Sequence, residues 1–249
     1  MLKVERQQKI LQLLRDTGYV TVDQLSRLLY VSEPTIRRDL SELNRQHFIV
    51  RSHGGAMIRS EHNAEIPIDF RNDFQTKAKA ALAKAAVALI QEGDVIFVDA
   101  STTALHILEY IKNRNDITVI TNSIQAAQYL RNTGLTVYST GGKMLDNSLA
   151  YGGSIAEEIL ERFNIDIMFF SAYGILEDGR IQDYSEPETS LRIKAMSIAR
   201  KSAFLFDKSK LGKKSLFNVA NISSVDFLVT DAEIPAIFPS PKNEIIFVK

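Results

Sequence analysis

Ser32-Glu33-Pro34-Thr35-Ile36-Arg37-Arg38-Asp39-Leu40, with Arg51-Ser52-His53-Gly54-Gly55-Ala56 downstream, decides how the first part of this chain folds. Ser32 is a good helix N-cap, Pro34 is tolerated in a first turn, and Ile36, Leu40 and Leu43 recur at the helical period. Burying those three turns Thr35, Arg38 and part of Arg37 outward near the helix N-terminus. That is where a recognition helix meets base edges, and where arginine binds guanine bidentately. Phe48 to Ile58 is two apolar stretches around a polar, diglycine-containing turn, the pattern of a β-hairpin. Such a hairpin would form a wing beside the helix.

Upstream, Thr21 and Gln24 form a capping box, and Val22, Leu25, Leu28 and Leu29 supply the apolar stripe of a second helix. Ile10, Leu11 and Leu14 recur at helical spacing before Gly18, which predicts a first helix over residues 3–16. A small helical domain with a solvated basic face is the plainer reading, because surface arginines are common. The order of three helices, a short turn, paired arginines and a hairpin outweighs it and predicts a winged helix-turn-helix over residues 1–58.

Charge and composition agree with a polyanion-binding head on a larger body. Residues 1–60 hold 10 Lys+Arg against 6 Asp+Glu, so the head carries +4 and the remainder −4 in a chain of net charge zero. A length of 249 residues suits two domains. The absence of cysteine excludes a disulfide scaffold, a Cys-ligated zinc finger, an iron–sulfur site and a thiol nucleophile. The sequence shows no membrane-length apolar window, and Met1 to Gly18 is charged and amphipathic rather than a signal peptide, so a cytoplasmic protein is expected. His47, His53, His62 and His106 lack metal-ligand spacing, and His106 is expected to have a satisfied structural role in a helix. No metal or cofactor is expected.

Residues 59–75 lack sustained periodicity and contain Pro67, which places a linker there and a second domain over 76–249. An alanine-rich helix is predicted from Thr76 to Gln91. Val95–Val98, Ile117–Ile120, Leu135–Tyr138, Ile167–Phe170, Ala203–Phe206 and Phe227–Val229 are apolar runs separated mostly by helical segments, the alternation of a largely parallel α/β sheet. Ligands of such sheets sit beyond the strand carboxyl ends. There the chain places Asp99-Ala100-Ser101-Thr102-Thr103, Thr121-Asn122-Ser123 and Ser139-Thr140-Gly141-Gly142-Lys143. Hydroxyls, glycines and helix starts suit an anion such as phosphate, although each alone is more often a cap. Neither a Walker lysine motif nor G-x-G-x-x-G is present, which disfavours nucleotides. Asp166, Asp183, Glu186 and Glu188 include a possible acid/base pair, but acidic residues in loops are usually solvated.

The Ser32–Leu40 and Arg51–Ala56 segments resemble the signature of DeoR-type bacterial transcriptional regulators. Asp99 to Thr103, Thr121-Asn122, Gly141-Gly142, Gly152, Gly174, Glu188 with Arg192, and Asp207-Lys208-Ser209-Lys210 match that family's effector-domain landmarks in order. His47 and Ser101 stand where the family usually carries glycine. The resemblance implies a winged head joined to a Rossmann-like domain similar to sugar-phosphate isomerases. It implies DNA contacts from Ser32, Thr35, Arg37, Arg38, Arg51 and His53. For a phosphorylated sugar it implies contacts from Asp99, Ser101, Thr102, Thr103, Thr121, Asn122, Gly141, Gly142, Glu188 and Lys210. The expected protein is a repressor of carbohydrate genes, a homo-oligomer on operator DNA and not an enzyme. The alternative is an isomerase-like enzyme with an accessory head, for which Asp99, Asp207 and Glu188 are the candidate bases.

Overall fold

The computed structural model describes residues 1–46, 48–52, 54–58, 68–72, 75–234, 238–242 and 244–248, and it divides into two compact units, Met1–Phe74 and Gln75–Lys249. In the first unit, α1 (Lys3–Thr17) ends at Gly18, whose positive φ of 76° lets its N–H donate to the Leu14 carbonyl. Strand β1 (Tyr19–Thr21) leads into α2 (Val22–Leu29). The capping box forms, with Gln24 N donating to Thr21 Oγ1 at 3.1 Å and Thr21 N to Gln24 Oε1 at 2.9 Å. Then come α3 (Glu33–Arg45) and the hairpin strands β2 (Ile49–Ser52) and β3 (Gly55–Ile58). The unit is a winged helix-turn-helix.

One expectation needs correcting here, and one strand was not foreseen. Leu28 is exposed, because a helix of eight residues aligns Val22, Leu25 and Leu29 on one face and turns Leu28 away. Strand β1 has three residues, too few for alternation to reveal, and it exists through antiparallel pairing with β3, completing a sheet of order β1-β3-β2. Ile10, Leu14, Leu25, Ile36, Leu40 and Leu43 are fully buried at the centre of this unit. A buried ion pair crosses it: Arg6 on α1 holds Asp39 on α3 with a fork, Nε to Oδ2 at 2.5 Å and Nη2 to Oδ1 at 3.2 Å. That fork sets the rotation of α3 about its axis.

Within the span expected to be linker, Ile68–Asn72 forms a short helix, α4; residues 59–67 and 73–74 lie outside the described residues, as do His47 and His53. The second unit opens with α5 (Thr76–Ala86), shorter than the alanine run predicted, because the chain tightens into a 3-10 turn at Val87–Leu89 before entering β4 (Val95–Val98). Next come α6 (Thr102–Leu105), α7 (Ile107–Ile111), β5 (Thr118–Thr121), α8 (Ile124–Tyr129) and β6 (Thr136–Ser139). A hairpin, β7 (Lys143–Leu145) and β8 (Ala150–Gly152), precedes α9 (Ser154–Leu160) and β9 (Ile167–Phe170). β10 (Gly174–Ile175) and β11 (Arg180–Asp183) lead to α10 (Glu186–Ile198) and β12 (Lys201–Phe206). β13 (Phe217–Asn221), β14 (Phe227–Thr230) and β15 (Glu244–Phe247) complete the chain.

Seven strands form one parallel sheet of order β15-β14-β12-β9-β4-β5-β6. Counted within the sheet, the chain winds outward in both directions from β4 and β9, the doubly wound plan, so the topological switch point lies between those two strands. Alternation along the strands feeds two cores: Ile96 and Val98 pack with α5, α6 and α7 residues, while Phe97, Met168 and Phe204 pack with residues of α9, α10 and the small β10-β11-β13 sheet. The β7-β8 and β10-β11-β13 strands and β15 escaped the sequence reading, being short, glycine-interrupted or isolated near the C-terminus.

The single helix expected through His106 is broken there into α6 and α7, and His106 Nε2 is buried without a partner, contrary to its expected satisfied role. Burial, followed by the positive charge of Lys79, holds its pKa below the usual 6.5. The folded state therefore favours neutral imidazole, and that contribution to stability is present above about pH 6.5 and lost as pH falls through the lowered folded value. Replacing His106 by Leu is expected to flatten the fall in melting temperature between pH 7.5 and 5. Asp39→Ala, which strands Arg6 partly buried, is expected to cost the first unit about 3 kcal/mol and to speed amide exchange in α1 and α3 about 100-fold, leaving β4 and β9 unchanged.

Candidate functional site

Two polar surfaces are built by these folds, one in each unit. In the first, Ser32 is the N-cap residue of α3, but its hydroxyl is 3.0 Å from Thr35 Oγ1 instead of bonding the helix backbone. Arg37 is exposed and paired with Glu33 at 3.0 Å, a surface pair of small energetic weight. Arg38 is exposed and makes no ion pair among the described residues. Arg37, Arg38, Ser41, Glu42 and Arg45 line one depression on α3. Arg51 of the wing reaches across to it, its Nη1 donating to Ser41 Oγ at 2.9 Å while Ser41 Oγ donates to the Arg37 carbonyl at 2.7 Å. Recognition helix and wing therefore present one continuous basic face. Ser41 and Arg45 were missed by sequence reasoning, although their spacing of three and seven from Arg38 puts them on its side of the helix.

In the second unit, the segments after β4, β5, β6, β9 and β12 converge at the carboxyl edge of the sheet. Asp99 is 1% exposed and fully engaged: Oδ1 accepts from Ser101 N at 3.0 Å and from the Ser101 hydroxyl, and Oδ2 accepts from Arg192 Nε at 2.7 Å. Ser101 Oγ accepts from Ala104 N at 3.3 Å and so caps α6; its φ of −71° is ordinary for any residue. Thr102 and Thr103 are buried, and their backbone N–H groups find no acceptor among the described residues.

Thr121 Oγ1 accepts from Ser123 N at 3.0 Å and shapes the turn after β5. Asn122 Nδ2 donates to the Tyr151 carbonyl at 3.1 Å, and Tyr151 N to the Asn122 carbonyl at 2.7 Å, which clamps the β7-β8 hairpin over that turn. Gly142 has φ of 106°, and a Cβ there would lie 2.8 Å from the Gly152 carbonyl, so the loop after β6 admits only glycine at this point. Lys210, in a 3-10 turn after β12, donates to Ser171 Oγ at 2.9 Å and to the Ala172 carbonyl, which brings its ammonium to the end of β9 beside the switch point.

Arg192 on α10 is the residue that joins these parts. It bonds Asp99 through Nε and Asp183 through Nη1, both at 2.7 Å, and lies 3.4 Å from Glu188 through Nη2. Burial opposes its charge, but Asp183, Asp99 and Glu188 outweigh that and drive its pKa upward. Asp183 and Glu188 are thus buried ion-pair partners and not the solvated loop acids expected; Asp166 is partly exposed and pairs with Arg200 at 3.1 Å. Sequence reasoning carried Arg192 only as a family landmark, since nothing in its own helix points to Asp99, ninety-three positions away. Among the described residues no group of three or more His, Cys, Asp or Glu side chains is arranged to hold a metal ion, and no helix is long and apolar enough to cross a membrane.

Comparison with known proteins follows the same division. A model of the DeoR-like helix-turn-helix domain matches residues 6–62, and one of the DeoR C terminal sensor domain matches residues 74–232. An uncharacterized HTH-type transcriptional regulator of Bacillus subtilis, YulB, is 35% identical over 93% of this chain and 90% of its own length. The transcriptional repressor AccR of Agrobacterium fabrum is 33% identical over 92% of this chain and 89% of its own. The solved ribose 5-phosphate isomerase A of Methanocaldococcus jannaschii aligns over 55% of this chain and 54% of that one, at 20% identity and a TM-score of 0.42, a likeness from which nothing about activity follows.

Removing the guanidinium strands three buried carboxylates together. Arg192→Leu is expected to destabilise the second unit by about 3–5 kcal/mol at neutral pH, read by thermal denaturation. Arg192→Lys, which keeps the charge but cannot hold three acceptors in one plane, is expected to fall between that variant and the wild type.

Proposed function

The chain belongs to the DeoR family of transcriptional regulators, and on that premise we propose that it is a repressor of carbohydrate genes whose winged head binds operator DNA and whose sheet edge binds a phosphorylated sugar. The observation that carries this reading is the presence, in one chain, of an arginine-lined face on α3 and the wing and of a topological switch point between β4 and β9 at which polar segments gather. In the head, Arg38 reads a base edge, Arg37, Ser32 and Thr35 flank it, and Arg51 meets phosphate; His53 is a further DNA contact that the family resemblance implies.

At the sheet edge, the free N–H groups of Thr102 and Thr103 hold the phosphate and Lys210 supplies a point charge. Asn122 bonds the ligand, while Asp99, Ser101, Thr121, Gly141, Gly142 and Glu188 shape the cavity. Binding without turnover fits Asp99 and Glu188, which are bound to Arg192; Asp207, whose Oδ1 accepts from Ser209 N at 2.9 Å, is the candidate base that a turnover assay tests. One head offers few base contacts, so at least a dimer on repeated half-sites is proposed, with the effector favouring one arrangement of heads over another.

Arg38→Ala is expected to weaken operator binding by about 1–3 kcal/mol and to relax preference at one base position, whereas Arg51→Ala weakens all sequences alike and makes the salt dependence shallower by about one unit of slope. Both are read by titrating labelled DNA over a salt series. Thr102→Glu places a carboxylate where the anion binds and is expected to abolish release of DNA by phosphorylated sugars while operator affinity stays intact. Conversion of any pentose or hexose phosphate by the pure protein, abolished in Asp207→Asn, would reverse the assignment as a binder.

A further inference from the structure

Five buried oxygens of the second unit have no hydrogen-bond partner among the described residues: Ser215 Oγ stands apart, and the other four are Thr103 Oγ1, Asn122 Oδ1, Ser148 Oγ and Thr189 Oγ1. Their residues are 0, 2, 0 and 5% exposed. Each such group loses its hydration on folding and regains nothing, and native proteins leave few of them. These four lie on segments that touch one another. Ile124 N donates to the Leu149 carbonyl at 2.9 Å and Ser123 bridges to Ala150, which brings Ser148 to the turn after β5. Gly152 lies against Pro187, two residues before Thr189, where a Cβ would meet the proline ring at 3.1 Å. Arg192, one turn beyond Thr189, reaches Asp99 at the start of the loop that carries Thr103. Next to Ser148, Leu149 holds a left-handed backbone at φ 46°, a strained choice for a branched residue.

The orientation of Asn122 is fixed by its neighbour. Its Nδ2 faces the Tyr151 carbonyl, which only accepts, so Oδ1 is the atom left over and requires a donor. A phosphate oxygen near neutral pH is chiefly an acceptor, whereas a sugar hydroxyl donates and accepts. We infer that Thr103, Asn122, Ser148 and Thr189 form a subsite for the hydroxyl-bearing carbons of the ligand, with Ser148 from the β7-β8 hairpin and Thr189 from α10 as direct contacts that set which sugar is accepted. The inference rests on the sugar-phosphate reading above and divides that pocket in two: backbone N–H groups and Lys210 for the phosphate, neutral oxygens for the sugar.

The test uses the full chain and a panel of D-ribose 5-phosphate, D-glucose 6-phosphate, D-fructose 6-phosphate and inorganic phosphate, read by thermal shift and calorimetry. Ser148→Ala and Thr189→Val are expected to weaken binding of a responding sugar phosphate about 10- to 100-fold while inorganic phosphate binds as before, and Thr189→Ser to restore it. Without ligand, both variants are expected to melt at or above the wild-type temperature, because the hydroxyls they lose satisfy nothing in the fold. Undiminished sugar-phosphate affinity in both variants, or equal loss of inorganic phosphate, overturns the subsite while leaving the phosphate reading standing. If no sugar phosphate in the panel shifts the melting temperature, the phosphate reading falls instead. The sugar subsite then falls with it, whereas lower melting of either ligand-free variant overturns the subsite alone, because the hydroxyl is then satisfied within the fold.

Discussion

The guanidinium of Arg192 holds Asp99, Asp183 and Glu188 in the interior of the second unit, and those carboxylates come from the end of β4, the end of β11 and the first turn of α10. Three buried negative charges repel one another and lose their hydration, so their presence requires a cation that meets all of them at hydrogen-bond distance. Only arginine has a planar fork wide enough to do so. Because Asp99 also holds Ser101, and Ser101 caps α6, the shape of the loop over the switch point depends on an ion cluster anchored on a helix from the opposite face of the sheet.

A similar device recurs on a smaller scale in the head. The Arg6–Asp39 fork fixes how α3 is turned, and the Arg51–Ser41 bond fixes where the wing lies along it. Both bonds come from outside this helix, one to the buried Asp39 carboxylate and one to the exposed Ser41 hydroxyl. The basic surface is therefore organised by Arg6 from behind α3 and by Arg51 within the surface itself.

The charge distribution also separates the two surfaces. The head presents arginines that need a polyanion, while the sheet edge surrounds its cations, Arg192 and Lys210, with acceptors drawn from the protein itself. The groups that the fold leaves unsatisfied there, among the described residues, are of another kind. Those are backbone N–H groups on one side and neutral side-chain oxygens on the other.

Local pattern was enough for much of this molecule. Helix caps at Thr21 and Gly18, the period of Ile36, Leu40 and Leu43, the diglycine turn and six apolar strand cores are written in neighbouring residues, and each element forms where its own few residues place it. The polar character of the strand ends was equally legible, since loop chemistry follows the strand that precedes it. Only the tertiary structure decided that β1 joins the wing, that Leu28 faces water, that the helix is broken at His106, and that Asp183 and Glu188 are buried on Arg192. β1 depends on β3, and the burial of the acids depends on an Arg192 that reaches Asp99, ninety-three positions away. A carboxylate reads the same in sequence whether solvated or buried, and its state is set by which distant cation the sheet order brings within 3 Å.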